Sequence, residues 1–321
     1  MQLCGWLNTY QATFIHITTK KWHMIVIGTR GSMLARMQAE IVSKQLRKVG
    51  IDTEIRIIKT HGDSVTNLPL HELSGVGVFV REIDEHSLAG DIDIAVHSMK
   101  DIPTIRPEQL VTAAVMKRDS PHDILITNDN TPLEEMPTGA VIGTSSMRRR
   151  AQLNRFRDDL DIVDLRGNIN TRLRKLRDRA YDGILLAEAG LTRMGWDLEF
   201  ERLDIDRFVP SANQGTIAIV ALRDSGAADL VGALDHPQTR IETEIERIVI
   251  DVLGGGCSVP IGAFSEMVGD GREVRVRAEM LSPDGRRYAR VDETIPAESH
   301  EYREHAHQIG EKLEALTRTQ L

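Results

Sequence analysis

Val26-Ile-Gly-Thr29 closes the first clean strand pattern of the chain, and Val141-Ile-Gly-Thr144 repeats it. Each copy ends an apolar run, and each is followed by a serine and a methionine just before a helical period, Ser32-Met33 and Ser146-Met147. Two similar α/β domains, each opening with a strand, a turn and a helix, account for the repeat.

Working outward, short apolar runs alternate with helical periods. Strands are expected at 24–28, 53–58, 92–96, 111–116 and 122–127, with helices at 33–49 and 78–89. A second series follows: strand 140–143, helix 145–156, strand 161–165, helix 168–180 and strand 183–187. This rhythm predicts parallel sheets with helices on both faces. Helix 33–49 is expected to bury Leu34, Met37, Ile41, Val42, Leu46 and Val49, with Gly50 as its cap. After Gln214-Gly215 a strand at 216–222 closes the α/β region, and His236-Pro237 reads as a linker. Helix 239–253 stops at Gly254-Gly255-Gly256. Strands 259–265, 273–281 and 286–294, separated by Gly-Asp-Gly and Pro-Asp-Gly, predict hairpins. With a last helix at 299–317 they make a smaller α+β C-terminal domain.

Composition bounds the function. The 321 residues suffice for two or three domains. Hydrophobic residues are 41%, charged residues 27%, and mean hydropathy is -0.25, which excludes a disordered or fibrous chain. No apolar run is long enough to span a membrane. A net charge of -8 argues against a nucleic-acid-wrapping protein. Two cysteines, Cys4 and Cys257, make a disulfide scaffold or a cysteine zinc site a poor reading, and a reducing cytoplasm fits best. Residues 1–23 hold Trp6 and Trp22 without a strong period or a basic start. They read as a non-catalytic extension before a natural start at Met24, or as a small structural segment.

The basic residues are 31 Arg and only 9 Lys. Between 148 and 179 stand ten Arg and one Lys against five Asp. Ser145 and Ser146 precede Arg148, Arg149 and Arg150 at a helix N-terminus, an arrangement suited to anions. A solvated face is the alternative, and it suits Arg174 and Arg177. It suits Arg166 less well, because that residue sits in a strand-to-helix turn, where ligands of doubly wound folds gather. Thr29-Arg30-Gly31-Ser32 is the mirror element in the first half. Two such edges imply a polyanion held between two domains. His97-Ser98-Met99-Lys100-Asp101 follows another apolar strand. Lys100 and Asp101 are candidates for acid–base work or charge stabilisation, or a plain surface pair. His97 reads as a structural hydrogen-bonding residue. Cys257, after three glycines, reads as a reactive thiol or a small buried hydrophobe.

On these residues the chain resembles the porphobilinogen deaminases. The stretches that carry the resemblance are Gly28-Thr-Arg-Gly-Ser32, Ile94-Ala-Val-His-Ser-Met-Lys-Asp-Ile-Pro103, Gly143-Thr-Ser-Ser-Met-Arg-Arg149, Leu165-Arg-Gly-Asn168 with Thr171-Arg-Leu173, and Gly255-Gly-Cys-Ser-Val-Pro-Ile-Gly262. They cover the chain from about Met24 to its end. The resemblance implies two domains like type II periplasmic binding proteins and a third that carries a cofactor. It divides the chain into an extension (1–23), a first domain (24–117 with 214–234), a second (122–210) and a third (238–321). It implies a dipyrromethane cofactor attached to Cys257 by a thioether. Four porphobilinogens would be added head to tail with loss of ammonia, and water would release hydroxymethylbilane. It makes Asp101, Arg166 and Arg172 catalytic. Lys100, Asp101, Ser145, Arg148 and Arg149 would hold the cofactor. Arg30, Ser32, Phe79, Arg166, Arg172 and Arg193 would hold substrate, each porphobilinogen bringing an acetate and a propionate. No metal, nucleic acid or membrane is expected, and nothing demands more than a monomer. Two departures stand out: Val76, where many relatives have Lys, and Pro210-Ser-Ala-Asn-Gln-Gly215. The rival is a two-lobed solute-binding protein for polyanions, which would have no use for Cys257.

Overall fold

A computed structural model describes residues 24–60, 80–255, 259–298 and 301–320. The expectations for residues 1–23, Val76, Phe79 and Cys257 lie outside the described residues.

The first sheet has the order β2-β1-β3-β10-β4, built from β1 (Ile25–Arg30), β2 (Thr53–Ile58), β3 (Ile94–Ser98), β4 (Leu110–Val115) and β10 (Ile217–Leu222). β1 runs parallel to β2 and β3, while β10 is antiparallel to β3 and β4. The second sheet copies this plan. It contains β5 (Asp123–Thr127), β6 (Val141–Gly143), β7 (Asp161–Val163), β8 (Gly183–Ala187) and β9 (Glu201–Arg202) in the order β7-β6-β8-β5-β9. Here β6 is parallel to β7 and β8, and β5 is the antiparallel neighbour of β8 and β9. The chain thus crosses between sheets twice, after β4 and before β10.

The repeat has a packing reason. A Cβ on Gly28 would fall 2.2 Å from Ile92 Cδ1, and one on Gly143 would fall 2.8 Å from Tyr181 Cδ1. Each strand must give up a side chain so that a neighbour can cross it. Each then delivers a serine N-cap. Ser32 accepts from Ala35 N at the start of α1 (Met33–Lys48), and Ser146 accepts from Arg149 N at the start of α3 (Met147–Phe156). Between them, α2 (Arg81–Leu88) precedes β3. Apolar clusters cover both faces of both sheets, with Ile27, Ile94, Ile219, Ile142 and Leu185 fully buried. Each such side chain contributes roughly 1.5–3 kcal/mol of transfer free energy.

The third part is the antiparallel meander β11 (Ile261–Val268), β12 (Glu273–Leu281) and β13 (Tyr288–Pro296). Helices α7 (Pro237–Val252) and α8 (Glu301–Gln320) pack on it through Ile245, Val249, Ala306, Ile309 and Leu313.

Several local expectations are corrected. α1 buries Gln38, Ala39, Val42, Ser43 and Leu46, whereas Met37 and Val49 are exposed. Polar partners set that rotation, since Gln38 donates to Ser98 Oγ (2.7 Å) and Ser43 Oγ pairs with Thr53 Oγ1 (2.6 Å). His236-Pro237 is no linker: His236 Nδ1 accepts from Thr239 N and Pro237 opens α7. Helix α4 (Ile169–Arg177) ends early, with Arg179 at φ 55. Two short helices, α5 (Glu188–Arg193) and α6 (Gly226–Val231), follow strands too closely to show a period.

Candidate functional site

The C-terminal ends of β1 and β3 meet at a cavity of about 60 Å³ lined by Arg30, Ser32, Gln38, His97, Ser98 and Asp101. Arg30 is the last residue of β1 and Ser32 caps α1. Asp101 ends a single 3-10 turn, Met99–Asp101, that continues β3, and it is exposed. Residues far apart in sequence are therefore gathered at one edge of the sheet, where parallel strands finish and a helix begins.

His97 is buried, and its Nε2 has no hydrogen-bond partner among the described residues. Burial first, then the charges of Arg106 and Arg30, lower its pKa to about 3, so the ring is neutral at ordinary pH. The hydrogen-bonding role read from the sequence is not made through that nitrogen.

Lys100 does not pair with Asp101 as a surface couple. Its Nζ donates to Gln214 Oε1 (3.2 Å), across the molecule on the return crossing. Burial lowers its pKa to about 8, with Asp101 opposing and Arg149 adding to the depression.

On the second sheet, Ser145 Oγ donates to Leu165 O (2.7 Å). Arg166 lies in the turn between β7 and α4, and Gly167 beside it has φ 108. Asn168 caps α4 by accepting from Thr171 N. Arg172 Nε donates to Gly167 O (2.8 Å). Burial and the neighbouring Arg149 lower the Arg172 pKa to about 10.

Arg148 and Arg149 are buried and largely committed to one another's partner, Asp123, the first residue of β5. Arg148 Nη1 donates to Asp123 Oδ2 (2.7 Å), Gln152 Oε1 and Val209 O. Arg149 donates to Asp123 Oδ1 through Nε (3.0 Å) and Nη2 (2.7 Å) and to Leu185 O. Burial pushes the Asp123 carboxyl up, but the two guanidinium groups outweigh it and hold it well below the usual range. Arg193 sits at the crossings, donating to Asp119 Oδ2 (2.8 Å) and Gly215 O (2.7 Å). Arg174 and Arg177 are exposed.

The two sheets approach across this region. Asn170 Nδ2 lies 3.9 Å from Met33 Sδ, and a Cβ on Gly190 would stand 3.8 Å from Leu34 Cδ2. α7 ends at Val252, and Gly254 just beyond it has φ 68. Sequence reading missed Gln214, Asp123 and Asp119. The only available signal was an aspartate opening an otherwise apolar strand.

Two family signatures match the chain. Residues 25–229 match "Porphobilinogen deaminase, dipyromethane cofactor binding domain", and residues 241–316 match "Porphobilinogen deaminase, C-terminal domain". The chain belongs to the porphobilinogen deaminase family. A probable porphobilinogen deaminase of Methanococcoides burtonii is 55% identical over 90% of this chain and 93% of its own length. One from Methanosarcina acetivorans is 58% identical over 85% of this chain and 86% of its own. Among solved structures, the methionine-binding protein MetQ covers 66% of this chain and 89% of its own, at 14% identity and a TM-score of 0.43. Family membership makes this chain a transferase of tetrapyrrole biosynthesis with a domain for a dipyrromethane cofactor. The fold is two α/β lobes, each built on a five-stranded mixed sheet of the same strand plan, with an added α+β part. Among the described residues no helix is long and apolar enough to cross a membrane, and no group of three His, Cys, Asp or Glu could hold a metal.

Proposed function

We propose that this chain condenses four porphobilinogen molecules head to tail onto a dipyrromethane primer held by Cys257, losing ammonia at each addition, and then releases hydroxymethylbilane by hydrolysis. The observation that carries this reading is the gathering of Arg30, Ser32 and Asp101 around one cavity. Cation and hydroxyl suit the acid side chains of a porphobilinogen, and the carboxylate suits its pyrrole N–H.

The residues fit the primer as well. Lys100 and Arg172 are both pressed toward neutrality by burial and by Arg149. Carboxylates placed among them relieve that crowding. Lys100 and Arg172, with Arg166 in the adjoining turn, would hold the primer's acid groups. Bound, the primer supplies the pyrrole to which the first substrate adds. Asp101 receives the substrate N–H and stabilises positive charge that develops as ammonia departs. With a pKa near 10, Arg172 stays protonated at neutral pH and acts by position and charge. The partners of Arg148, Arg149, Ser145 and Arg193 favour supporting roles, shaping the cleft and its crossings. A monomer working in the cytoplasm, apart from nucleic acid, fits the acidic net charge.

The test is the intact mass of the purified protein with mapping of the Cys257 peptide, before and after incubation with porphobilinogen. A dipyrrole on Cys257 is expected. An unmodified thiol after incubation would overturn the reading and leave a two-lobed binding protein.

A further inference from the structure

Gln214 lies in a turn built around it. Asn213 and Gly215 on either side have φ 63 and φ 84, and a Cβ on Gly215 would meet Asp119 O and Ser120 O at 2.7 Å each. Gln214 itself is buried. Its Nε2 donates to Pro121 O (2.8 Å) and Asp123 Oδ1 (2.8 Å), while its Oε1 accepts from Lys100 Nζ (3.2 Å). Two acceptors on one side and an ammonium on the other leave the amide a single satisfied orientation. The Asp123 carboxylate that fixes it is in turn clamped by Arg148 and Arg149. A continuous polar path thus runs from the second sheet, through the return crossing, to the turn that carries Asp101.

We propose that Gln214 is a positioning residue: oriented by Asp123, its amide oxygen holds the Lys100 ammonium at the floor of the cleft. The dipole does what a carboxylate would do less selectively. It stabilises the ammonium without neutralising it, so the charge stays available to an anionic ligand. Burial disfavours the charged form of Lys100; among its charged neighbours Asp101 and Asp123 favour that form, while Arg149 and Arg148 oppose it. The oxygen of Gln214 accepts a hydrogen bond from the Lys100 ammonium. The significance for the primer rests on the reading of Lys100 given above. The positioning itself does not.

The experiment uses the full-length protein and competitive acetylation with acetic anhydride across pH 6–11, reading Lys100 from its peptide mass. In the unaltered protein the midpoint is expected below the ordinary lysine value, near 8 in molecules that carry no dipyrrole. Gln214→Met, which keeps the volume and removes the dipole, should lower the midpoint by about one unit, a loss in the range of a hydrogen bond to a charged group. Gln214→Glu should raise it. Dipyrrole occupancy of the Cys257 peptide is measured in parallel. Occupancy should fall at least several-fold in Gln214→Met but no further when Lys100→Met is already present. An unchanged midpoint in a Gln214→Met protein that melts like the parent overturns the proposal. If that variant does not fold, an unchanged midpoint in Gln214→Glu does the same. A shifted midpoint in a protein that never acquires dipyrrole keeps the positioning and removes only the deaminase reading.

Discussion

Asp123→Ala removes the most heavily used carboxylate in the second sheet. Asp123 is fully buried and accepts from Arg148 Nη1, Arg149 Nε and Nη2, and Gln214 Nε2. Its loss leaves two guanidinium groups buried with no compensating charge and one amide hydrogen without an acceptor. Breaking a buried ion pair from one side costs about 3–5 kcal/mol. At roughly 2–4 °C per kcal/mol for a unit of this size, Tm should fall by about 6–20 °C. The pH dependence supplies a second readout. Because Arg148 and Arg149 hold the folded-state pKa below its ordinary value, the pair's contribution is present above about pH 4. It is lost as pH falls further, toward the folded-state pKa. Calorimetric scans from pH 3 to 7 should show the parent protein losing stability on acidification more steeply than Asp123→Ala. Asp123→Asn, which keeps an acceptor but not the charge, should fall between the two. A Tm drop under about 3 °C, or parallel acid profiles, would refute the argument and mean that water or a neighbouring acid already compensates the arginines.

Cys257→Ser should fold yet carry no dipyrrole by mass. Asp101→Ala should retain the dipyrrole and consume porphobilinogen at least about 100-fold more slowly, as expected for a lost charge-stabilising group; near-parental turnover would reduce Asp101 to a structural residue. Gly215→Ala should cost about 1–3 kcal/mol in a urea melt, since its φ of 84 and the two carbonyls at 2.7 Å both oppose a Cβ. His97 stays neutral when folded, so it stabilises fully above its unfolded value near 6.5 and progressively less down to about pH 3. His97→Phe should therefore flatten the stability profile between pH 6 and 4, and an unchanged slope would show that His97 is protonated without penalty.

Much of the fold was legible because its signals are local. The Val-Ile-Gly-Thr repeat, the serines that cap α1 and α3, and the turn residues between β11, β12 and β13 each act within a few positions. The cavity residues were legible for a related reason: Arg30, Ser32 and Asp101 stand at strand ends, where such folds place ligands. What escaped were pairings set by tertiary structure. Nothing near Arg148 and Arg149 announces that Asp123 will absorb them, because it sits 25 and 26 residues away in a strand. Lys100 and Gln214 are separated by 114 residues. The face of α1 was misread because Gln38 and Ser43 turn inward for hydrogen bonds that hydrophobicity does not count.

The strand order of the first sheet bears on how the polypeptide leaves the ribosome. β10 lies between β3 and β4, although it is made after every strand of the second sheet. Until residue 222 has emerged, β3 and β4 lack the neighbour that joins them, and Ile219, at the centre of one core cluster, is missing. The second sheet comes from one unbroken segment. The half whose residues appear first is therefore the half that completes second, and nascent β3 and β4 spend that interval with open edges, a hazard for misassembly during synthesis.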